Sequence, residues 1–474
     1  MSARPAPSLM HRVHRIHFVG IGGAGMSGIA EVLINLGFEV SGSDLVDSAS
    51  VARLRKLGAH IAIGHAEDHL GEADVVVVSG AVPESNPEVS AARQRRVPVV
   101  PRAEMLGELM RFRQGIAIAG THGKTTTTSL LAGILAEAGL DPTFIVGGLV
   151  HAFGSSARLG EGRYLVAEAD ESDGSFLKLQ PVISVVTNID RDHLDAYHGS
   201  FDQLQQAFLE FLHHLPFYGV AVLCLDDPHV AELVPDLGRS VVTYGFGDQA
   251  DVRATGLEQT GQRMRFELWL PEADEGVEIH LNQPGRHNVL NALGAAAVAW
   301  ELGLDSEAIV RGLAGFGGVD RRFAPIGSLK VAGKNVLAFE DYGHHPTELD
   351  AVLRAARGGW PDRRLVLVFQ PHRYTRTRDQ FDAFARVLSE VSALVLADLY
   401  PAGEAPIAGI DSDALARAVS ERGLENVHRV GPIDAVPDAL VDVVADDDLL
   451  LVMGAGDVGR LGALLRQQFQ ETSA

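Results

Sequence analysis

Residues 115–128 read Gly115-Ile-Ala-Ile-Ala-Gly120-Thr-His-Gly-Lys124-Thr-Thr-Thr-Thr128. A short apolar run feeds a glycine turn, and a helical pattern follows to about Gly139. This order predicts a strand, a phosphate loop and a helix. In such a loop, backbone N–H groups cradle phosphate oxygens at the helix N-terminus. Lys124 is placed to reach the terminal phosphates, and the Thr125 hydroxyl to ligate Mg²⁺. One departure stands out. The usual pattern has four residues between its glycines, and here Ile118 occupies the first glycine position. A turn with only a structural role is the plainer alternative.

Outward from this loop, short unbroken apolar runs alternate with helical patterns. They are Ile16–Ile21, Val75–Val78, Ile116–Ala119, Tyr164–Ala167, Val182–Thr187, Val220–Leu225, Leu365–Phe369, Leu394–Ala397 and Leu449–Met453. Runs of this kind suit parallel strands covered on both faces, and the alternation predicts α/β domains. Met264–Leu270 alternates instead, and with Val277–Leu281 it reads as an antiparallel hairpin. Breaks fall at Arg111–Gly115 and Gly315–Arg322, giving three units with boundaries 1–113, 114–320 and 321–474. The acidic run Asp446-Asp-Asp448 reads as a solvated turn.

Composition narrows the functional classes. The 474 residues carry 40 Lys+Arg and 62 Asp+Glu, a net charge of −22. That excludes a general nucleic-acid binder, which needs a basic face, but not small phosphorylated ligands. Cys224 is the single cysteine and sits in an apolar run, so it reads as a buried structural thiol and no internal disulfide exists. No apolar leader core precedes Ile16 and no run spans a bilayer, so a cytoplasmic protein without membrane insertion is expected.

A second glycine loop lies near the N-terminus: Gly20-Ile-Gly22-Gly23-Ala24-Gly25, between an apolar run and a helical stretch. Its glycines allow close approach to a diphosphate. Asp44 follows 19 residues after Gly25, where an acid commonly meets a ribose hydroxyl. Alone, this would suggest an NAD enzyme, and a close helix–sheet crossing is the plainer alternative. Acids also follow two later runs: Glu168-Ala-Asp170-Glu171-Ser172-Asp173 and Asp190-Arg-Asp192-His193-Leu-Asp195. Strand ends of parallel sheets are where ligands bind, and carboxylates beside a phosphate loop suit Mg²⁺. Glu168 and His193 are the metal candidates.

Several motifs then resemble one family in order and spacing. They are Gly120-Thr-His-Gly-Lys-Thr-Thr126, Glu168-Ala-Asp-Glu-Ser-Asp173, Thr187-Asn-Ile with Asp192-His193-Leu-Asp, Pro284-Gly-Arg-His287-Asn288-Val-Leu-Asn291-Ala, and Asp320-Arg321-Arg322-Phe. The chain resembles the Mur ligases, ATP-dependent amide-forming enzymes of peptidoglycan precursor synthesis. The resemblance runs from about residue 12 to Gly454-Ala-Gly-Asp-Val-Gly459. Asp341-Tyr-Gly-His-His-Pro-Thr-Glu348 and Phe369-Gln-Pro-His-Arg-Tyr-Thr-Arg-Thr377 look like the member that joins L-alanine to UDP-N-acetylmuramate.

The resemblance implies three α/β domains. The first is Rossmann-like and holds the UDP-sugar, the second is a P-loop ATPase-type parallel sheet, and the third is Rossmann-like and delivers the amino acid. It carries the UDP-sugar to Gly20, Gly22, Gly23, Ala24, Gly25, Asp44 and Ser79. ATP falls to Gly120, Thr121, His122, Gly123, Lys124, Thr125 and Thr126, with Asn288, Asn291, Arg322 and Asp341 around the nucleoside. Arg321 is left as an alternative to Arg322, and Asn288 and Asn291 read otherwise as helix surface or cap residues. Thr125, Glu168 and His193 would hold Mg²⁺. Tyr342, His344, Arg373 and Arg376 would surround L-alanine. The catalytic set is Lys124, Glu168, His193, Arg373 and Arg376, with the partners UDP-N-acetylmuramate and L-alanine and a monomer or homodimer as the assembly.

Two departures from the family are visible. Relatives that add later residues use a carbamoylated lysine as a further metal ligand, but no lysine lies between Asp192 and Val220. Arg191 also puts a positive charge beside the Asp-His motif. Three rival readings are kept: a family member joining a preformed tripeptide to the same UDP-sugar, an NAD-dependent dehydrogenase, and a non-catalytic nucleotide-controlled binding module.

Overall fold

The computed structural model describes Met10 and residues 12–469. Most of the segment before Ile16 that was read for a leader lies outside them. The chain packs as two compact units. Of the described residues, one holds Met10, 12–255, 268–277 and 290–317, and the other holds 256–267, 278–289 and 318–469.

The first unit opens with β1 (Arg15–Val19), β2 (Glu39–Asp44), β3 (His60–Ile63), β4 (Val75–Val78) and β5 (Val99–Pro101). They form one parallel sheet in the order β3-β2-β1-β4-β5. Ile16, Phe18 and Val77 are fully buried, as a strand covered on both faces requires. The connector at Arg111–Gly115 then runs from the helix Arg102–Arg111 into β6 (Gln114–Ala119). With β7 (Thr143–Val150), β8 (Ser155–Arg158), β9 (Tyr164–Glu168), β10 (Ile183–Val186), β11 (Val220–Cys224) and β12 (Ser240–Gly245), it makes the order β12-β11-β10-β6-β9-β7-β8. The strands β13 (Val252–Thr260), β14 (Arg263–Trp269) and β15 (Val277–Leu281) follow, with β14 neighbouring β15 as the alternation predicted.

The second unit carries β16 (Ala324–Val331), β17 (Lys334–Asp341), β18 (Leu365–Phe369), β19 (Ala393–Leu396), β20 (Val427–Arg429) and β21 (Asp448–Met453). Their order is β16-β17-β21-β18-β19-β20. β16 and β17 form an antiparallel hairpin, and the other pairs are parallel. All five residues of β18 are buried.

All nine apolar runs form strands with parallel partners. Cys224 is buried, and burial pushes its thiol up to about 12. One reading is corrected. Asp448 is not in a solvated turn: it is 1% exposed and opens β21. Its carboxylate accepts from Arg364 Nη2 at 2.7 Å and from the Ala445 N–H at 2.6 Å, which lets the charge be buried.

Candidate active site

The strand β6 ends at Ala119, and the helix Lys124–Glu137 begins after the turn. Gly120 has φ +125° and Gly123 has φ +83°, conformations that L side chains rarely adopt. A Cβ at Gly120 would run into the Thr187 hydroxyl, and one at Gly123 into the Asn291 side chain. The turn is also tied to the loop after β10. Thr121 N–H donates to the Asn188 carbonyl (3.0 Å), and His122 N–H to Asn188 Oδ1 (2.8 Å). Thr187 Oγ1 donates to the His122 carbonyl at 2.6 Å, and His122 Nε2 lies 2.9 Å from Asp190 Oδ2. Thr125 and Thr126 are buried in the first helical turn.

Lys124 spends its three ammonium protons inside this turn. Nζ donates to the carbonyls of Gly120 (2.5 Å) and Thr121 (3.0 Å) and to Glu171 Oε2 (2.7 Å). Burial pulls the ammonium pKa down, but the carboxylates of Glu171, Asp170 and Glu168 more than offset it, and the net shift is upward. Burial pushes Glu171 up to about 6 against the pull of Lys124. Asp170 is also pushed up by burial, yet Lys124, Ser172 and Arg102 outweigh this and hold it low. Glu168, at the end of β9, accepts from the Gly147 N–H at 2.7 Å. His193 is left-handed (φ +57°), and its Nε2 lies 3.5 Å from Asp192 Oδ2. Arg191 stacks over the Phe201 ring at 4.8 Å.

The N-terminal loop is built differently. The helix Ala24–Asn35 follows it, and Gly20 has φ +77°. Gly20 and Ile21 donate backbone N–H groups to the Ser43 carbonyl (2.8 and 3.0 Å), and Gly22 donates to Asp44 Oδ2 (2.8 Å). Asp44 Oδ1 takes the Val46 N–H at 3.1 Å, so this acid organises its own loop. Ser79 follows β4 and approaches Gly20. Beneath the loop, Ser43 Oγ and His17 Nε2 meet the fully buried Glu88 Oε2 at 2.7 and 2.8 Å.

In the second unit, Asp341 ends β17 and is buried. It accepts from the Phe323 and Gly343 N–H groups (2.8 and 2.7 Å), and burial raises its pKa. Arg321 and Arg322 both lie over the Tyr342 ring, at 4.9 and 5.1 Å. Arg321 also donates to the Gly454 carbonyl, while Arg322 Nη1 lies 4.0 Å from Glu348 Oε1. Burial, aided by Arg322, holds His287 down at about 4. Asn288 is buried, and its Nδ2 donates to the Pro284 carbonyl at 2.8 Å. In the first unit, Asn291 Oδ1 accepts from Thr127 Oγ1 at 3.3 Å. Arg373 precedes the short helix Tyr374–Asp379 with φ +70° and lies 3.4 Å from Glu404. Arg376 is buried, with Nη1 3.3 Å from His372 Nδ1.

Sequence reasoning missed Glu171, Asn188 and Asp190 as working parts of the turn. All three stood in quoted motifs, but a run of acids does not say which one turns inward.

Against this geometry, three family descriptions match in succession. "Mur ligase family, catalytic domain" covers residues 15–114, "Mur ligase middle domain" 118–299, and "Mur ligase, glutamate ligase domain" 321–456. A UDP-N-acetylmuramate–L-alanine ligase of Xanthomonas campestris pv. campestris is 58% identical over 91% of this chain and 91% of its own. The chain belongs to the Mur ligase family. A UDP-N-acetylmuramate–alanine ligase from Thermotoga maritima superposes with a TM-score of 0.81 at 28% identity, covering 96% of this chain and 98% of that one. A murein peptide ligase from Psychrobacter arcticus superposes at 0.71 and 24% identity, covering 97% and 100%. That second likeness speaks to the fold alone. Membership makes the protein an ATP-dependent amide-forming ligase and sets the NAD reading of the first glycine loop aside. Among the described residues, no helix is long and apolar enough to cross a membrane.

Proposed function

We propose that this Mur ligase joins L-alanine to the carboxylate of UDP-N-acetylmuramate, releasing ADP and phosphate. The observation that carries the chemistry is the turn Gly120–Gly123 with Lys124 bound to Glu171. The choice of amine and sugar follows the 58% identical relative. Residues 1–113 would serve the UDP-sugar, 114–320 ATP and 321–474 the amino acid.

The turn fits a nucleoside triphosphate. Two of the three acceptors on Lys124 are carbonyls of the loop itself, and phosphate oxygens can replace them. The donors also fit Mg²⁺, since the Thr125 hydroxyl and Glu168 carboxylate are hard oxygen ligands, and His193 would complete the set. When bound, Mg²⁺ would spread the charge that develops on the transferred phosphoryl group. The muramate carboxylate attacks the γ-phosphorus, and Lys124 compensates charge on the equatorial oxygens. The resulting acyl phosphate is opened by the amine, because phosphate leaves far more readily than hydroxide. Asn288 and Asn291 would serve the adenine, Arg322 and Asp341 the ribose and phosphates, and Arg373 and Arg376 the alanine carboxylate, which suits a planar guanidinium fork. The chemistry suits a cytoplasmic enzyme, where ATP and nucleotide sugars are held.

The test is phosphate release with ATP, Mg²⁺, UDP-N-acetylmuramate and one amine at a time. L-alanine should support turnover and a tripeptide should not. Turnover with the tripeptide alone would replace this reading with the murein-peptide one.

A further inference from the structure

We infer that His344 is the general base that takes the proton from the amine of L-alanine, and that the neighbouring His372 is held in the opposite tautomer as a hydrogen-bond donor. The inference rests on the function proposed above and assigns the proton whose removal frees the nucleophile.

His344 lies in the turn between β17 and the helix Pro346–Gly359. Its Nδ1 is 3.1 Å from the Tyr342 carbonyl and 3.4 Å from Glu348 Oε2. Both oxygens can only accept, so Nδ1 carries the hydrogen and the neutral ring has its lone pair on Nε2. Glu348 is itself fixed. The same Oε2 accepts the backbone N–H groups of His344 (2.9 Å) and His345 (3.1 Å) as part of the capping box of that helix. Arg322 Nη1 lies 4.0 Å from its other oxygen. A carboxylate at Nδ1 orients the ring and stabilises the imidazolium that forms when Nε2 takes a proton.

His372 has the reverse arrangement. Its Nδ1 faces Arg376 Nη1 at 3.3 Å, and a guanidinium has only donors. The lone pair therefore sits on Nδ1 and the hydrogen on Nε2. Tyr400 stacks on this ring at 5.5 Å and 8°, fixing its plane. The two imidazoles lie 5.8 Å apart at 66°, and Tyr342 meets His344 edge-on at 5.3 Å. Neighbouring rings thus offer one acceptor and one donor to a small zwitterion.

In the step itself, an ammonium proton of L-alanine first passes to His344 Nε2, which frees the nitrogen lone pair. The amine nitrogen then forms a bond to the acyl-phosphate carbonyl carbon. The carbon–oxygen bond to phosphate breaks, phosphate leaves with the electron pair, and it carries off the second N–H proton, leaving the neutral amide.

The test compares two nucleophiles in His344→Gln. With L-alanine, kcat should fall by about 100-fold or more, the usual range for a lost general base. Hydroxylamine is largely unprotonated at neutral pH and needs no base, so ATP-dependent hydroxamate formation from UDP-N-acetylmuramate should stay within about threefold of wild type. His372→Gln removes a donor instead of a base, so it should raise KM for L-alanine by about tenfold and leave kcat within about threefold. Retained kcat with L-alanine in His344→Gln, or equal losses with both nucleophiles, overturns the assignment. If the wild-type protein forms no hydroxamate at all, the proposed reaction itself has failed, and that is a separate result.

Discussion

Two turns in the first unit share one backbone device and differ in charge. Both lead from a buried parallel strand through glycines into a helix: Gly20–Gly25 after β1, and Gly120–Gly123 after β6. The second turn places an ammonium, Lys124, among the acids Glu168, Asp170 and Glu171. The first is organised by Asp44 and the Ser43 carbonyl, which take up the N–H groups of Gly20, Ile21 and Gly22 ahead of the helix N-terminus. Backbone donors at a helix N-terminus are enough to hold a diphosphate. Moving a phosphoryl group also needs a cation that follows the developing charge. On the proposed function, the contrast would separate a turn that binds from one that takes part in chemistry.

The sharpest way to break that contrast is Lys124→Ala. Turnover should drop by about 1,000-fold or more, as for other lost electrostatic stabilisers, while the melting temperature shows the fold intact. Phosphate release near the wild-type rate would put both turns in the same class.

Glycine substitutions come next. Gly120→Ala forces a side chain into φ +125° and against Thr187. A loss of about 2–4 kcal/mol in unfolding free energy is expected from strain plus overpacking. Gly22→Ala meets only side-chain atoms of Asp44, Val51 and Ser48 at about 3 Å, without a positive φ. About 1 kcal/mol should be lost there. Urea unfolding of the two variants checks the ranking, and equal losses would show that the second turn is no more constrained than the first.

The same contrast explains what the sequence could reveal. Both turns are defined by covalent spacing, so Gly20–Gly25 and Gly120–Lys124 were legible at once. The nine strands were legible because parallel strands buried on both faces leave unbroken apolar runs. The pair β7–β8 was not, since Gly147-Gly148 interrupts its pattern and its pairing is antiparallel. Charge was the least legible property. Asp448 looked solvated beside Asp446 and Asp447, yet it is buried because Arg364, 84 residues away in the chain, compensates it. Glu171 was one acid among four, and its burial and 2.7 Å contact with Lys124 distinguish it. Partners distant in sequence decide which charge turns inward, and local pattern does not contain them.

A smaller effect should appear in stability against pH. Burial raises Glu171 from the ordinary glutamate range to about 6. Between about pH 4.5 and 6 the folded chain therefore holds a proton that the unfolded chain has lost. Stability from this group should fall as pH rises through that window, by at most about 2 kcal/mol. Glu171→Gln should remove this slope, seen as a difference between urea midpoints at pH 4.5 and 6.5. An unchanged slope would mean that Lys124 keeps Glu171 ionised throughout.

The smallest expected effect lies in the first turn and divides two roles for Asp44. Its two carboxylate oxygens accept the N–H groups of Gly22 and Val46, so its work inside the protein is to hold the loop. An amide at this position keeps an accepting oxygen but loses the charge. If Asp44 acts by shaping the loop, Asp44→Asn should leave KM for UDP-N-acetylmuramate within about threefold, while Asp44→Ala raises it about tenfold, the equivalent of one lost hydrogen bond. If it acts as an anion on a ribose hydroxyl, both variants should weaken the UDP-sugar alike, since a charged acceptor is the stronger partner. KM for ATP should not move in either case. A shift there would tie the binding turn to the catalytic one and end the separation on which the comparison rests.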